Sequence, residues 1–264
     1  MSATDVKQTL ADHLRQLRLP AFRDHYEPVA RRAEQEAHSY EQYLLELARR
    51  ECQARQTNRV ETMLRQSRLP LEKTIESFKM KRLPAKAARQ VRSLLDGAFV
   101  DRRENLLVFG RPGSGKTHLV AGIAQALVRQ GSSVYFSSCS LLVQDLLIAK
   151  RELKLSRYLK RLARFEAIVI DDIGYVEQSR EEMEVLFTLL AERYERGSVL
   201  LTSNLPFSKW EAIFKDPMTT AAAIDRLVHH SVILELNVKS FRLEQALDSA
   251  KLNEDVSQES RLEG

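Results

Sequence analysis

Through residues 1 to about 75 the apolar positions recur every three or four residues. From about residue 104 short, wholly apolar runs begin to alternate with longer amphipathic ones. In the first stretch Val6, Leu10, Leu14 and Leu17 form one helical stripe. It stops at Leu19-Pro20, because proline lacks an N–H and its ring clashes with the preceding turn. Phe22, Tyr26, Val29 and Ala33 form a second stripe, which Pro28 is expected to kink or break. Ser39, with Gln42 three residues on, is a capping box opening a long helix that should run to about Gln66 and end before Leu69-Pro70. Arg-Leu-Pro stands at 18–20, 68–70 and 82–84 between unlike flanks, so it reads as helix-end punctuation and not as a repeat. The short apolar runs at 105–109, 133–137, 166–171, 198–203 and 232–236 are expected strands with helices between them. That alternation predicts an α/β fold, a parallel sheet wrapped on both faces, preceded by an all-helical region. The expected organisation is a helical N-terminal recognition domain over 1–75, a basic linker and helix over 76–103, an α/β domain over 104–245 and a polar, disordered tail over 246–264.

Composition narrows this only slightly. A length of 264 residues suits one or two domains, and 41 basic against 36 acidic residues leave a net charge of +5, which permits a nucleic-acid partner without requiring one. Cys52 and Cys139 are too few and too far apart for a disulfide framework. His13, His25, His38, His118, His229 and His230 show no zinc-type spacing and read as surface or packing residues. No apolar run is long enough to span a bilayer, and no charged start precedes an apolar segment, so a cytoplasmic protein without a membrane partner is expected.

The positive charge is concentrated. Residues 79–92 carry Lys79, Lys81, Arg82, Lys86, Arg89 and Arg92 with no acid. Residues 150–164 carry Lys150, Arg151, Lys154, Arg157, Lys160, Arg161 and Arg164 against Glu152 alone, around an apolar stripe of Leu153, Leu155, Tyr158, Leu159 and Leu162. The second stretch reads as an amphipathic basic helix. Both stretches are candidates for contact with DNA phosphates, a solvated face being the alternative. With no helix-turn-helix or zinc pattern, little base reading is expected.

The chemistry centres on Gly110, Arg111, Pro112, Gly113, Ser114, Gly115, Lys116 and Thr117, a phosphate-loop pattern between an apolar strand and an amphipathic helix, with His118 following. Glycines let backbone N–H groups close on a polyphosphate, Lys116 would reach the β- and γ-phosphates, and Thr117 would offer its hydroxyl to Mg²⁺. Asp171 and Asp172 end the apolar strand 167–170, where the first could hold Mg²⁺ and the second deprotonate an attacking water; a turn or helix cap is the plain alternative. Asn204 ends the next strand and could position that water. Arg226, just before the last strand, could complete a neighbouring subunit's site, and Arg242 could touch phosphates in its own, each against a surface salt bridge.

In that order these motifs resemble AAA+ ATPases, and more narrowly the IstB-type transposition helper ATPases, relatives of the DnaC-type helicase loaders. Leu17-Arg18-Leu19-Pro20, Ser39-Tyr40-Glu41, the arginine-rich helix to Leu69-Pro70 and the segment Leu71 to Phe78 also look like the N-terminal part of IstB proteins, so the resemblance spans about residues 10 to 245. It implies a sheet in the order 5-1-4-3-2, ATP and Mg²⁺ as ligands, Asn204 as sensor 1, Arg226 as an arginine finger acting in trans and Arg242 as sensor 2. It further implies a homo-oligomer on duplex DNA that assists a transposase in target selection. A replicative helicase loader shares the same core and is the alternative. Two departures stand out: Asp171-Asp172 replaces the family's usual Asp-Glu, and only 22 residues follow Arg242, so the C-terminal helical lid is expected to be absent or vestigial.

Overall fold

Each of the first three helices is ended by its own sequence. In the computed structural model, which describes residues 3–174, 179–210, 217–238, 240 and 241, α1 runs Ala3–Gln16, α2 Pro20–Gln35 and α3 Tyr40–Ser67. After α1 the chain turns through Arg18 at φ +54°, with Leu19 N–H donating to Leu14 O at 2.9 Å, a left-handed helix stop. Pro20 then opens α2 at a position where a missing N–H costs nothing. The next orphan donor, Ala21 N–H, reaches the buried Glu51 carboxylate of α3 at 2.9 Å, and Arg55 braces that carboxylate at 2.8 Å. Pro28 lies inside α2 without breaking it. It faces outward, where solvent can take the carbonyl that its ring leaves unpaired. The capping box at α3 is present in both directions, Ser39 N–H to Gln42 Oε1 at 2.7 Å and Gln42 N–H to Ser39 Oγ at 3.3 Å. The chain separates into two compact units, residues 1–62 and 63–264, dividing within α3 where the sequence placed a boundary near 75.

The larger unit contains α4 (Ala85–Leu94) and α5 (Ala98–Asp101), then β1 (Asn105–Gly110), α6 (Lys116–Arg129), β2 (Val134–Ser138), α7 (Cys139–Arg151), α8 (Leu155–Leu162), β3 (Ala167–Ile173), α9 (Arg180–Arg193), β4 (Ser198–Ser203), α10 (Pro217–Val228) and β5 (Ser231–Leu236). The five strands form one sheet in the order β2-β3-β4-β1-β5, every neighbour parallel, which is the expected 5-1-4-3-2 order read from the other edge. Side chains alternate across each strand and so feed two cores. Leu107, Phe109, Ile168, Ile170 and Leu201 face α7, α9 and α10. Leu106, Val108, Val169, Leu200 and Leu234 face α4 and α6. The loops after β1, β3 and β4 therefore leave the same carboxyl edge, where a ligand of an open parallel sheet binds.

One expected element is really two. Residues 150–164 do not form a single amphipathic helix. α7 ends at Arg151, Leu153 turns at φ +56° and α8 begins at Leu155. Lys154 N–H bonds to Ala149 O at 2.7 Å and Leu153 N–H to Lys150 O at 3.1 Å, a closed helix stop with leucine where glycine is usual. Leu153 therefore leaves the apolar stripe and stands 94% exposed, while Leu162 is buried. The segment 79–92 resolves into a short 3₁₀ turn at Met80–Arg82 followed by α4. Among the described residues no helix is long and apolar enough to cross a membrane. The tail expected at 246–264 lies outside the described residues.

Candidate functional site

The turn between β1 and α6 is built on left-handed backbone. Gly113 (φ +77°) and Gly115 (φ +92°) take conformations that a side chain would strain. Neither has room for one: a Cβ on Gly113 would collide with the Ser240 hydroxyl, and one on Gly115 would lie 3.1 Å from the Phe78 ring. Lys116 is 7% exposed and folds across its own loop, its ammonium donating to Gly110 O at 2.9 Å and Arg111 O at 3.2 Å. Neutral carbonyls stabilise that charge less than phosphate oxygens would, so the side chain is placed to swing to an anion.

Thr117, on the first turn of α6, donates its hydroxyl to Asp171 at 2.9 and 3.0 Å. Thr202 of β4, wholly buried, donates to the same carboxylate at 2.6 Å and accepts Asp172 N–H at 2.7 Å. The two aspartates thus diverge. β3 carries an extra residue against β4 between Ile170 and Ile173, and Asp172 sits at φ +65° within that bulge. The bulge turns its side chain into the cavity while Asp171 stays on the threonines. Asn204, just past β4, lines the same cavity, and its Oδ1 is buried with no hydrogen-bond partner; Ser114 Oγ in the loop is in the same condition. Two unsatisfied polar atoms in one concavity are what a polar ligand would satisfy.

The cavity measures about 320 Å³. Its far wall comes from the segment ahead of α4, through Lys73, Phe78, Lys79 and Arg82, and from Phe241. That segment is strapped to α6. Gln125 donates to Pro70 O and Lys73 O at 2.9 and 3.1 Å, and the His118 ring nitrogen lies 2.9 Å from Thr74 O and 3.0 Å from Ser77 Oγ. The strap passes so close to the helix that a Cβ on Gly122 would lie 2.8 Å from Ile75 N. His118 thus faces the strap as well as the cavity. Phe241 N–H donates to Gly113 O at 2.9 Å, and its ring carries Lys79 at 4.6 Å and Arg82 at 5.5 Å.

The structure therefore gathers Gly113, Ser114, Gly115, Lys116, Thr117 and His118 with Asp172 and Asn204, and hydrogen-bonds Asp171 to that group. Gly110 closes the loop through its carbonyl, Pro112 lines the cavity, and Arg111 is exposed. Arg226 is elsewhere: its guanidinium lies 4.5 Å over the Phe187 ring, with Nη1 buried and lacking a hydrogen-bond partner. Arg242 lies outside the described residues. Of the residues expected to contact DNA, Lys79 and Arg82 also line the cavity, Lys79 while remaining exposed. Lys81, Lys86, Arg89 and Arg92 are exposed. In the second basic stretch Lys150 pairs with Glu184 at 3.0 Å and Lys154 with Glu152 at 2.8 Å, and Arg161 stacks on Tyr158 at 4.4 Å. Arg151, Arg157, Lys160 and Arg164 remain exposed. Thr202 carries no motif of its own, and Phe78 and Phe241 lie in stretches that the resemblance covers without assigning them a role. Their only sequence signal is position, at the end of a buried strand or flanking the α/β region.

Comparison with known proteins agrees with this geometry. The sequence profile described as IstB-like ATP binding protein matches residues 12–249. An insertion sequence ATP-binding protein of Sinorhizobium fredii (strain NBRC 101917 / NGR234) is 38% identical over 239 residues, covering 90% of this chain and 80% of its own. The ATP-binding protein of insertion sequence IS21 from Pseudomonas aeruginosa is 34% identical over 244 residues, 92% of each chain. Among solved structures, DnaI superposes with a TM-score of 0.54 at 18% identity over 64% of this chain and 94% of its own. DnaA bound to AMPPCP and single-stranded DNA gives 0.54 at 16% identity over 65% and 52%. These two likenesses are of fold alone.

Proposed function

Because the chain belongs to the IstB-like ATP-binding family, we propose that it is an ATPase that assembles on duplex DNA and assists a transposase in choosing target DNA. The observation that carries the catalytic half is the hydrogen-bonded run Thr117–Asp171–Thr202–Asp172, which sets an acid on each side of a threonine beside the Lys116 loop. ATP is the substrate. Lys116 would leave its loop carbonyls for the phosphates, and the Gly113–Gly115 backbone would cradle them. Mg²⁺ fits Thr117 and Asp171, whose hydroxyl and carboxylate oxygens are the donor set a hard cation takes, and when bound it would neutralise charge on the phosphoryl oxygens. Asp172, turned into the cavity, would accept the proton of the attacking water, and Asn204 Oδ1 would hold that water in line. Arg226 would serve the site of a neighbouring copy, consistent with its unpaired Nη1 and its place on Phe187, outside the lining of its own cavity. Arg242 is assigned to the phosphates of its own chain on sequence grounds.

The DNA half rests on charge. Arg151, Arg157, Lys160 and Arg164 are exposed around the α7–α8 corner, and Lys81, Lys86, Arg89 and Arg92 along and before α4. Contacts of this kind neutralise phosphates and read little sequence. The work would be done in the cytoplasm, where ATP and chromosomal DNA are both present.

The test measures ATP hydrolysis with and without duplex DNA, alongside the size of the assembly in ATP and in ADP. DNA-stimulated hydrolysis and an ATP-dependent assembly are expected. Absence of hydrolysis, or one assembly in both nucleotides, overturns the mechanism. Capture of the replicative helicase in place of a transposase would transfer the same core to helicase loading.

A further inference from the structure

The edge of the sheet opposite the phosphate loop carries a cluster that ATP chemistry does not use. Glu195 follows α9, and His229 and His230 follow α10 and lead into β5. One donor atom from each of the three lies within 4.8 Å of the others. The sequence gives no zinc spacing here, since two ligands are adjacent and the third comes from a different helix. We propose that Glu195, His229 and His230 bind a divalent transition-metal ion of the zinc class, with solvent completing the shell.

Four observations support the site. The first is donor type: two imidazoles and one carboxylate form a set that binds Zn²⁺ and Co²⁺, with donors about 3.4 Å apart in a tetrahedral shell. All three side chains are exposed, so rotation about their side-chain bonds closes the remaining gap. The second is aim. Glu195 (φ +56°) and His230 (φ +55°) both hold left-handed backbone, unusual for residues with side chains, and each turns its side chain toward the cluster. The third is a rigid frame. Arg103 donates to Glu195 O at 2.9 Å and Asn105 N–H to His230 O at 3.0 Å. The buried Asn105 side chain also ties Leu227 O at 3.0 Å to Val199 N–H at 2.9 Å, so both ligand-bearing turns hang from the start of β1. The fourth is orientation of a ring. The Tyr194 hydroxyl lies 2.9 Å from His229 Nδ1; with Nδ1–H donating to that oxygen, Nε2 would be unprotonated and open to the ion, the arrangement by which an outer partner fixes the ligating nitrogen of an imidazole.

An ion there would pin the end of α9 to the end of α10. These are the helices that carry Phe187 and Arg226, so occupancy would restrain the stacked arginine without touching the nucleotide.

The full chain, stripped with chelator, is titrated with Co²⁺ in the absence of nucleotide and followed by its visible absorption. Saturable tetrahedral-type bands at about one ion per chain, bleached by Zn²⁺, are expected. Asp171→Asn should leave them unchanged, separating this site from the phosphate loop. His229→Ala, His230→Ala and Glu195→Gln should each weaken binding at least about tenfold, and Tyr194→Phe by about 10-fold as a positioning residue. Zn²⁺ should raise the thermal midpoint of the intact protein but not that of His229→Ala, which also reports whether the variant is folded. Absence of saturable bands, or bands that survive the double substitution His229→Ala and His230→Ala, overturns the proposal.

Discussion

Asp171 and Asp172 are adjacent in the chain and face different partners, and the left-handed backbone at Asp172 is what separates them. This makes asparagine the informative replacement, since it tolerates positive φ nearly as well as aspartate and removes only the charge. Asp172→Asn is expected to lower kcat for ATP by about 10²–10⁴-fold while ATP affinity stays within about threefold, measured by steady-state hydrolysis and nucleotide titration. Thr202→Val keeps the shape of the side chain but orphans the Asp172 N–H and removes one bond to Asp171, both in buried surroundings. It should cost about 1–3 kcal/mol of stability in denaturant unfolding and lower kcat as the bulge relaxes. Lys116, Thr117 and Asp171 were legible in the sequence because they lie in contiguous motifs whose chemistry demands those residue types. Thr202 was not. A threonine in an apolar strand is ordinary, and only the parallel register of β3 against β4 brings its hydroxyl between two carboxyl groups.

At the scale of elements, the strap across α6 and the corner between α7 and α8 make opposite predictions about small residues. Gly122 faces backbone atoms of the strap, Ile75 N at 2.8 Å, Ile75 Cα at 3.0 Å and Thr74 C at 3.1 Å, none of which can rotate away. Gly122→Ala gains helix propensity yet should destabilise by about 1–3 kcal/mol through overpacking. Faster tryptic cleavage at Lys73 and Lys79 and weaker ATP binding would accompany it. At Leu153 the bulk is the fault. The side chain is 94% exposed and its φ is +56°, so Leu153→Gly relieves backbone strain and gives up almost no burial. A gain of about 0.5–1 kcal/mol, a rise in Tm of roughly 1–4 °C, is expected from calorimetry. The five strands were readable from apolar runs, which in a sheet covered on both faces need no other pattern, whereas their order came only from the resemblance to AAA+ ATPases. The α7–α8 break was not, because period counting registers where apolar residues fall and cannot see one of them adopting left-handed backbone. Nor can a charge count register that Lys79 and Arg82 line the cavity, Lys79 while remaining exposed.

For the whole molecule the question is whether charge and catalysis belong to one assembly. Of the basic side chains around α8, Lys150 and Lys154 are already paired with acids, while Arg157, Lys160 and Arg164 are exposed. Reversing those three to Glu should lower DNA affinity and reduce the slope of log K against log salt by up to about 3, near 0.9 per lost phosphate contact. An unchanged slope would move the DNA face to α4. Catalysis asks for the complementary experiment. Arg226 rests on Phe187 and does not enter its own loop, so an arginine that works must work on a neighbour. Lys116→Ala has a dead site and an intact Arg226; Arg226→Ala has the reverse. Each alone should be inactive in hydrolysis. Mixed in equal amounts on DNA, about one interface in four would join an intact loop to an intact arginine, and about a quarter of the activity should return. Recovery of that size requires the arginine to cross a subunit boundary. An Arg226→Ala protein that hydrolyses ATP normally, or a mixture that recovers nothing, would place the transition-state charge on another group, with Arg242 the first to test.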